Sequence, residues 1–187
     1  MTPLASLWLP IVLTTVFIFI ASSLIHTVLP WHKSDFAGLP DEAGFRRAVA
    51  PMGIPAGDYV VPHCTDMKEM STPEHKAKLQ EGPILVMTVR QNGEVSMAPM
   101  FIGWTVAILA LTIVVAFAAG AALSPGASTM AVWHLTGLVA LAGYGFGGWP
   151  ESIWFGRKWS SAVKGTVDAV IYAVITAATF GWLWPAM

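Results

Sequence analysis

The chain has 187 residues, of which 55% are hydrophobic and only 11% charged, with ten Lys+Arg against eleven Asp+Glu for a net charge of -1. Soluble domains carry about 25% charged residues, so this is the composition of a membrane protein. It excludes an electrostatically driven nucleic-acid binder, and a single cysteine excludes an internal disulfide framework or a thiolate-rich zinc site.

The charges are segregated. Residues 1–29 and 95–150 contain none, whereas 30–94 hold seven of the ten basic residues and nine of the eleven acids. The first apolar block, Ala5 to Leu29, is 25 residues long, enough to cross a hydrocarbon core of roughly 30 Å with some tilt. No Lys or Arg precedes it, so it is expected to be a retained span and not a cleaved signal. His26 falls one turn inside its inner end.

Residues 30–98 form the polar insertion, expected to be a small α+β cap on the helix ends. Pro40-Asp41-Glu42 opens a short helix to Ala50. Ser71 and Glu74 have capping-box spacing for a second helix to about Gln80. Runs 84–89 and 94–97 around Gln91-Asn92-Gly93 predict a β-hairpin near 84–97, with Tyr59-Val60-Val61 as a third-strand candidate. His63-Cys64-Thr65-Asp66 looks like a metal cluster, but adjacent His and Cys do not aim at one ion and no second ligand pair follows. It is read as a polar loop, and no metal site is expected.

Three further spans follow at 99–123, 129–149 and 163–184, separated by the Ser124-Pro125-Gly126 turn and the 150–162 segment. The expected fold class is therefore mainly α: four transmembrane helices with an α+β insertion between the first two. In that topology all ten basic residues lie on one side and none on the other. The positive-inside rule makes 30–98 cytoplasmic and both termini periplasmic in a bacterial inner membrane. Trp8, Trp133, Trp182 and Trp184 then sit near the outer interface, and Trp31, Trp104, Trp149, Trp154 and Trp159 near the inner one. Indole prefers that layer, where its ring is buried and its N–H wet, so all nine are expected interface anchors.

Helix four carries Gly165, Ala169, Ala173, Ala177 and Gly181 at every fourth position, and helix three carries Gly143 and Gly147. Small residues let helices approach closely in lipid. The stripe is expected to pack helices three and four together or to dock another subunit. Asp168 is the one acid inside a span. An intramembrane carboxylate is a candidate proton carrier or ion ligand, but Lys164 one i,i+4 step away predicts a plain snorkelling salt bridge. His134 lies in the opposite leaflet from His26, about 15–20 Å away along the normal, so the two do not clamp one haem.

Ser22-Ser23-Leu24-Ile25-His26, Leu29 to Phe36, Met67-Lys68-Glu69-Met70, Trp154, Trp159 and the ending Thr179 to Pro185 resemble a family of uncharacterised bacterial four-helix integral membrane proteins. The resemblance implies a multi-pass bacterial protein and brings no activity.

With no polar constellation visible at mid-membrane, the expectation is a non-catalytic accessory or scaffold subunit of a larger inner-membrane complex, of the respiratory or photosynthetic kind. Its partners would be membrane lipids and other integral membrane subunits, not nucleic acid. No cofactor is expected, although a bound lipid or pigment would suit such a surface. The alternative is a small transporter, or a proton- or cofactor-handling protein, that uses Asp168 with His26 and His32 on the inner side.

Overall fold

Apolar chain without charged or turn-forming residues has one economical way to satisfy its backbone in lipid, the α-helix. The computed structural model describes residues 1–186, and four of its helical stretches are long and apolar enough to cross a membrane: Leu4–Thr27, Ala98–Ala122, Thr129–Phe155 and Trp159–Leu183. Within them lie α1 (Trp8–Thr27), α4 (Ala98–Ala122), α5 (Thr129–Gly145), α6 (Trp149–Phe155) and α7 (Trp159–Leu183). Contacts divide the chain into a helical unit, residues 1–36 with 96–187, and a smaller unit, 37–95.

The third span is not one helix to Trp149. It stops at Gly145 and restarts at Trp149 with Pro150 in the first turn. Gly147 and Gly148 weaken the helix between them, and proline has no N–H to continue the ladder. The fourth span begins four residues earlier than expected, at Trp159, which sets Lys164 and Asp168 deeper along α7.

One end of the bundle is tied by backbone hydrogen bonds. The Thr2 N–H donates to the Gly120 carbonyl at 2.7 Å, and Gly126, at φ +74°, donates to Pro185 at 2.8 Å. Trp184 Nε1 donates to the Ser124 carbonyl at 3.1 Å. Gly120 is required there, because a Cβ would sit 2.6 Å from the Thr2 carbonyl oxygen, a backbone atom that cannot swing away. Gly120→Ala is therefore expected to lower stability by about 1–3 kcal/mol. Thermal unfolding in detergent checks this against Gly103→Ala, whose Cβ meets nothing within 4 Å and should leave the midpoint unchanged or raised.

The core joins all four spans: Leu7 and Ile11, Val115 and Ala116 of α4, Val132 and Ala140 of α5, and Ala173 and Phe180 of α7. Much of the small-residue stripe packs inward on α5. A Cβ on Gly137 would touch Ala177, one on Gly145 would touch Ala169, and Gly181 lies under the Trp133 ring. Gly143 faces Leu111 of α4. Gly147 and Gly165 have nothing within 4 Å of a Cβ position, so neither packs closely against another helix of this chain. Small size at 165 leaves open space.

The tryptophans also divide. Trp8, Trp154 and Trp182 are well exposed, and Trp159 is half-exposed with its ring edge on Trp149. Three indoles hydrogen-bond to other parts of the chain. Trp104 donates to Ser22 Oγ and Trp149 to Thr166 Oγ1, each at 3.0 Å, alongside the Trp184 bond above. Trp31 packs against the cluster of Ile18, Ile25, Ile108 and Tyr172.

The smaller unit contains α2 (Glu42–Val49), β1 (Gly57–Val61), α3 (Pro73–Glu81) and β2 (Leu85–Val89). Asp41 caps α2 by accepting from Gly44 N at 2.8 Å. The cap of α3 is Thr72, which accepts from His75 N at 3.2 Å, and not Ser71. The expected hairpin over 84–97 does not form. β2 pairs antiparallel with β1, from Gly57 opposite Val89 to Val61 opposite Leu85, and 94–97 runs into α4 without becoming a strand. β1 supplies β-branched valines, and a 2.6 Å bond from Thr88 Oγ1 to Asp58 Oδ1 fixes the register. Glu94 to Met97 offers no comparable pairing before Pro99 starts the helix.

Candidate functional site

Residues 30–36 were expected to belong to the polar insertion, yet they fold with the helical bundle. Pro30 ends α1 and begins a 3-10 turn over Pro30–Ser34, because its ring cannot continue the helix but suits a first-turn position. That turn folds the chain back over the N-terminal part of α7 and hands it three polar groups.

Lys164 Nζ donates to the Trp31 carbonyl, to Ser34 Oγ at 2.7 Å and to Asp35 Oδ1 at 2.8 Å. All three of its protons are used. Lys158 adds a bond to the Ser34 carbonyl at 3.0 Å. The expected Lys164–Asp168 salt bridge is thus replaced. Lys164 pairs with Asp35, and Asp168 pairs with His32.

His32 lies between two carboxylates. Its Nδ1 is 2.7 Å from Asp35 Oδ2 and its Nε2 is 2.9 Å from Asp168 Oδ2. Burial works against the charge on Asp35, but hydrogen bonds from Lys164 and His32, and their positive charge, outweigh it and hold that carboxyl down at about 2. Asp168 is 5% exposed, and its second oxygen, Oδ1, is buried with no hydrogen-bond partner.

His26 stacks on His32, with ring centroids 4.5 Å apart and planes within 8°. Its Nδ1 is 3.0 Å from the Ser22 carbonyl. A carbonyl only accepts, so Nδ1 carries the proton and Nε2 of the neutral ring holds the lone pair. Ligand atoms of His26, His32 and Asp168 lie within 4.8 Å of one another, close enough for one metal ion. The geometry argues against that use. Imidazole lone pairs lie in the ring plane, and two parallel stacked planes do not converge on one point. Both nitrogens of His32 are, moreover, already committed. The group is a hydrogen-bonded chain.

Two cavities meet at this chain. One, of about 250 Å³, is polar and includes Asp35, Arg157 and Ser161. The other, of about 540 Å³, is mostly apolar and lies among Ser22, Met100, Phe101, Trp104, Tyr144 and Tyr172. His26, Gly165 and Asp168 border both. A Cβ on Gly165 would meet nothing within 4 Å, so the absent side chain leaves open space where the two cavities share a wall.

Sequence reading had grouped His26, His32 and Asp168, and the structure brings them together. It missed Asp35, whose only signals were an i,i+3 step from His32 and a free opposite charge at Lys164. It also missed the aromatic wall of Trp104, Tyr144 and Tyr172, since nothing local links residues on three helices. His134 is exposed on α5, and His63, Cys64 and Asp66 belong to the smaller unit. Among the described residues, the three-residue group of prospective ligands is the one at Asp168.

No family model, curated protein or solved structure matches this chain. Functional interpretation therefore rests on the chemistry of the site.

Proposed function

We propose that this is a proton-handling multi-pass membrane protein, in which His32, oriented by Asp35, passes a proton between the polar cavity at one end of the bundle and Asp168 at the apolar pocket. The observation that carries this reading is His32 bridged between two carboxylates, with Asp168 Oδ1 buried and unpartnered beyond it. Two ionised carboxylates on one ring require an imidazolium. Transferring a single proton across the Nε2–Oδ2 hydrogen bond, whose heavy atoms are 2.9 Å apart, gives neutral imidazole and a protonated Asp168 instead. Lys164 and Asp35 keep a fixed opposite-charge pair behind the ring, so the mobile proton is confined to the inner half of the chain. With basic residues collected at that end, we place it in the cytoplasm of a bacterial inner membrane, both termini being periplasmic.

The accessory-subunit reading drew on the lack of a mid-membrane polar constellation, on the stripes of small residues and on the abundant interface anchors. The Asp35–His32–Asp168 chain weighs against the first, and Ala169, Ala177 and Gly181 pack on α5 within the chain itself. Other membrane subunits remain compatible partners, because α1 and α4 keep exposed apolar faces.

Infrared spectroscopy of the protein in lipid nanodiscs tests the relay. A carboxyl band that is lost in Asp168→Asn should change protonation reversibly as the pH is stepped. His32→Gln keeps a hydrogen-bonding side chain but cannot carry a proton, and should slow that exchange by about 100-fold. A carboxyl signal that never titrates, or that exchanges equally fast without His32, would overturn the proposal.

A further inference from the structure

The larger cavity has a composition that narrows what it binds. Its volume of about 540 Å³ is that of a small-molecule site. Three aromatic rings from three helices wall it. Tyr144 and Tyr172 meet nearly edge to face at 5.3 Å, and Trp104 lies 6.4 Å from one and 6.5 Å from the other. The rim is formed by Met97, Met100 and Phe101 of the α4 end and by His26 and Thr27 of α1, all exposed. Flexible methionines on an exposed apolar helix face suit an adaptable entrance from lipid. At the closed side stands Asp168, 95% removed from solvent by its 5% exposure, with Oδ1 unpartnered.

A buried acceptor without a donor is costly unless something satisfies it. Trp104, Tyr144 and Tyr172 line the same cavity as that carboxylate, and aromatic rings carry negative π-faces. This combination attracts a diffuse positive charge, and the apolar lining rejects a strongly hydrated one such as a bare metal ion or a primary ammonium.

We infer that the pocket between α1, α4, α5 and α7 binds a lipid-soluble organic cation, a quaternary ammonium or phosphonium centre carrying apolar groups, with Asp168 as counter-charge and Trp104, Tyr144 and Tyr172 as the aromatic wall. This rests on Asp168 being the proton-carrying group of the relay. The charges then balance by exchange. Before binding, the His32–Asp168 pair holds one proton and is neutral, whichever atom carries it. The incoming cation replaces that proton, which leaves toward the polar cavity; the neutral ring keeps its one N–H on Asp35, and Asp168, released from Nε2, meets the cation as a carboxylate, so the site is again neutral. The groups facing Asp168 are His32 from the turn after α1, His26 of α1, Tyr144 of α5 and Tyr172 of α7, with Asp35, Lys164 and Arg157 at the polar end. The Lys164–Asp35 pair is charge-balanced and does not compete for the cation.

The test is calorimetric titration of the full chain in nanodiscs with tetraphenylphosphonium, repeated across pH and in buffers of different ionisation heat. Saturable binding is expected, with about one proton released per cation and affinity falling about tenfold per pH unit where the proton competes. Asp168→Asn should abolish binding, and Trp104→Phe, a milder change, should weaken it about fivefold. Gly165→Leu, which puts a large side chain into the cavity wall, should also block it. Size-exclusion profiles and circular dichroism identify any variant that fails to fold, and Trp104→Phe decides if Asp168→Asn does. Equal binding by wild type and the Asp168 variant, binding with no proton release, or no saturable binding would each overturn the inference. If the ligand-free infrared titration is normal and no cation binds, the cation site falls and the relay stands. A cation that binds while no proton moves in either experiment removes both.

Discussion

Lys164→Met is expected to destabilise the bundle by about 2–3 kcal/mol at neutral pH. Removing one partner of a fully buried ion pair costs about 3–5 kcal/mol, because the other charge is left uncompensated. Here solvent at the end of the bundle screens part of that. The loss exceeds that of an exposed pair because Lys164 holds three acceptors at once and pins the turn that presents His32. Its pH dependence has a definite sign. Asp35 titrates near 3.8 when unperturbed and is held at about 2 in the folded protein, so its contribution is complete above about pH 4 and fades as the pH falls toward 2. The gap between wild type and Lys164→Met should therefore be widest above pH 4 and close in acid. Unfolding measured against denaturing detergent at several pH values checks both features, and a gap independent of pH would refute the pairing with Asp35.

Phe180→Ala should cost about 3–5 kcal/mol. Phe180 is 0% exposed and shares a core cluster with residues before and in α1, in α4 and in α5. Neighbouring helices cannot collapse into the void, since Ala173 and Ala177 already bring α7 against α5. In lipid the lost term is dispersion and packing, not water expulsion, so the cavity itself carries the penalty. The same measurement should show Phe117→Ala, on an exposed face of α4, to be far milder.

Some of this was legible in particular residues. The charge-free blocks located three of the apolar helices and the charge-poor stretch near the C-terminus the fourth, because charge at mid-depth is expensive wherever the chain goes. Asp41 announced α2 through a cap that acts within three residues. The Gln91-Asn92-Gly93 turn misled, since turn chemistry permits a hairpin but strand pairing is decided by which segment lies alongside. Lys164 misled for a similar reason. Its i,i+4 relation to Asp168 is a local option, and three acceptors from another segment outcompeted it.

The low charge fraction, read as a distribution, determined by itself that this chain has four helices able to cross a membrane and a polar insertion between the first two. That follows from solvation, a property each residue carries wherever it is placed. Only the tertiary structure decided that Pro30 turns the chain back over α7, that His32 is held between Asp35 and Asp168, and that rings from α4, α5 and α7 enclose a pocket beside the buried carboxylate. His32 and Asp168 are 136 positions apart and the three rings come from three different helices, so no local spacing encodes the arrangement.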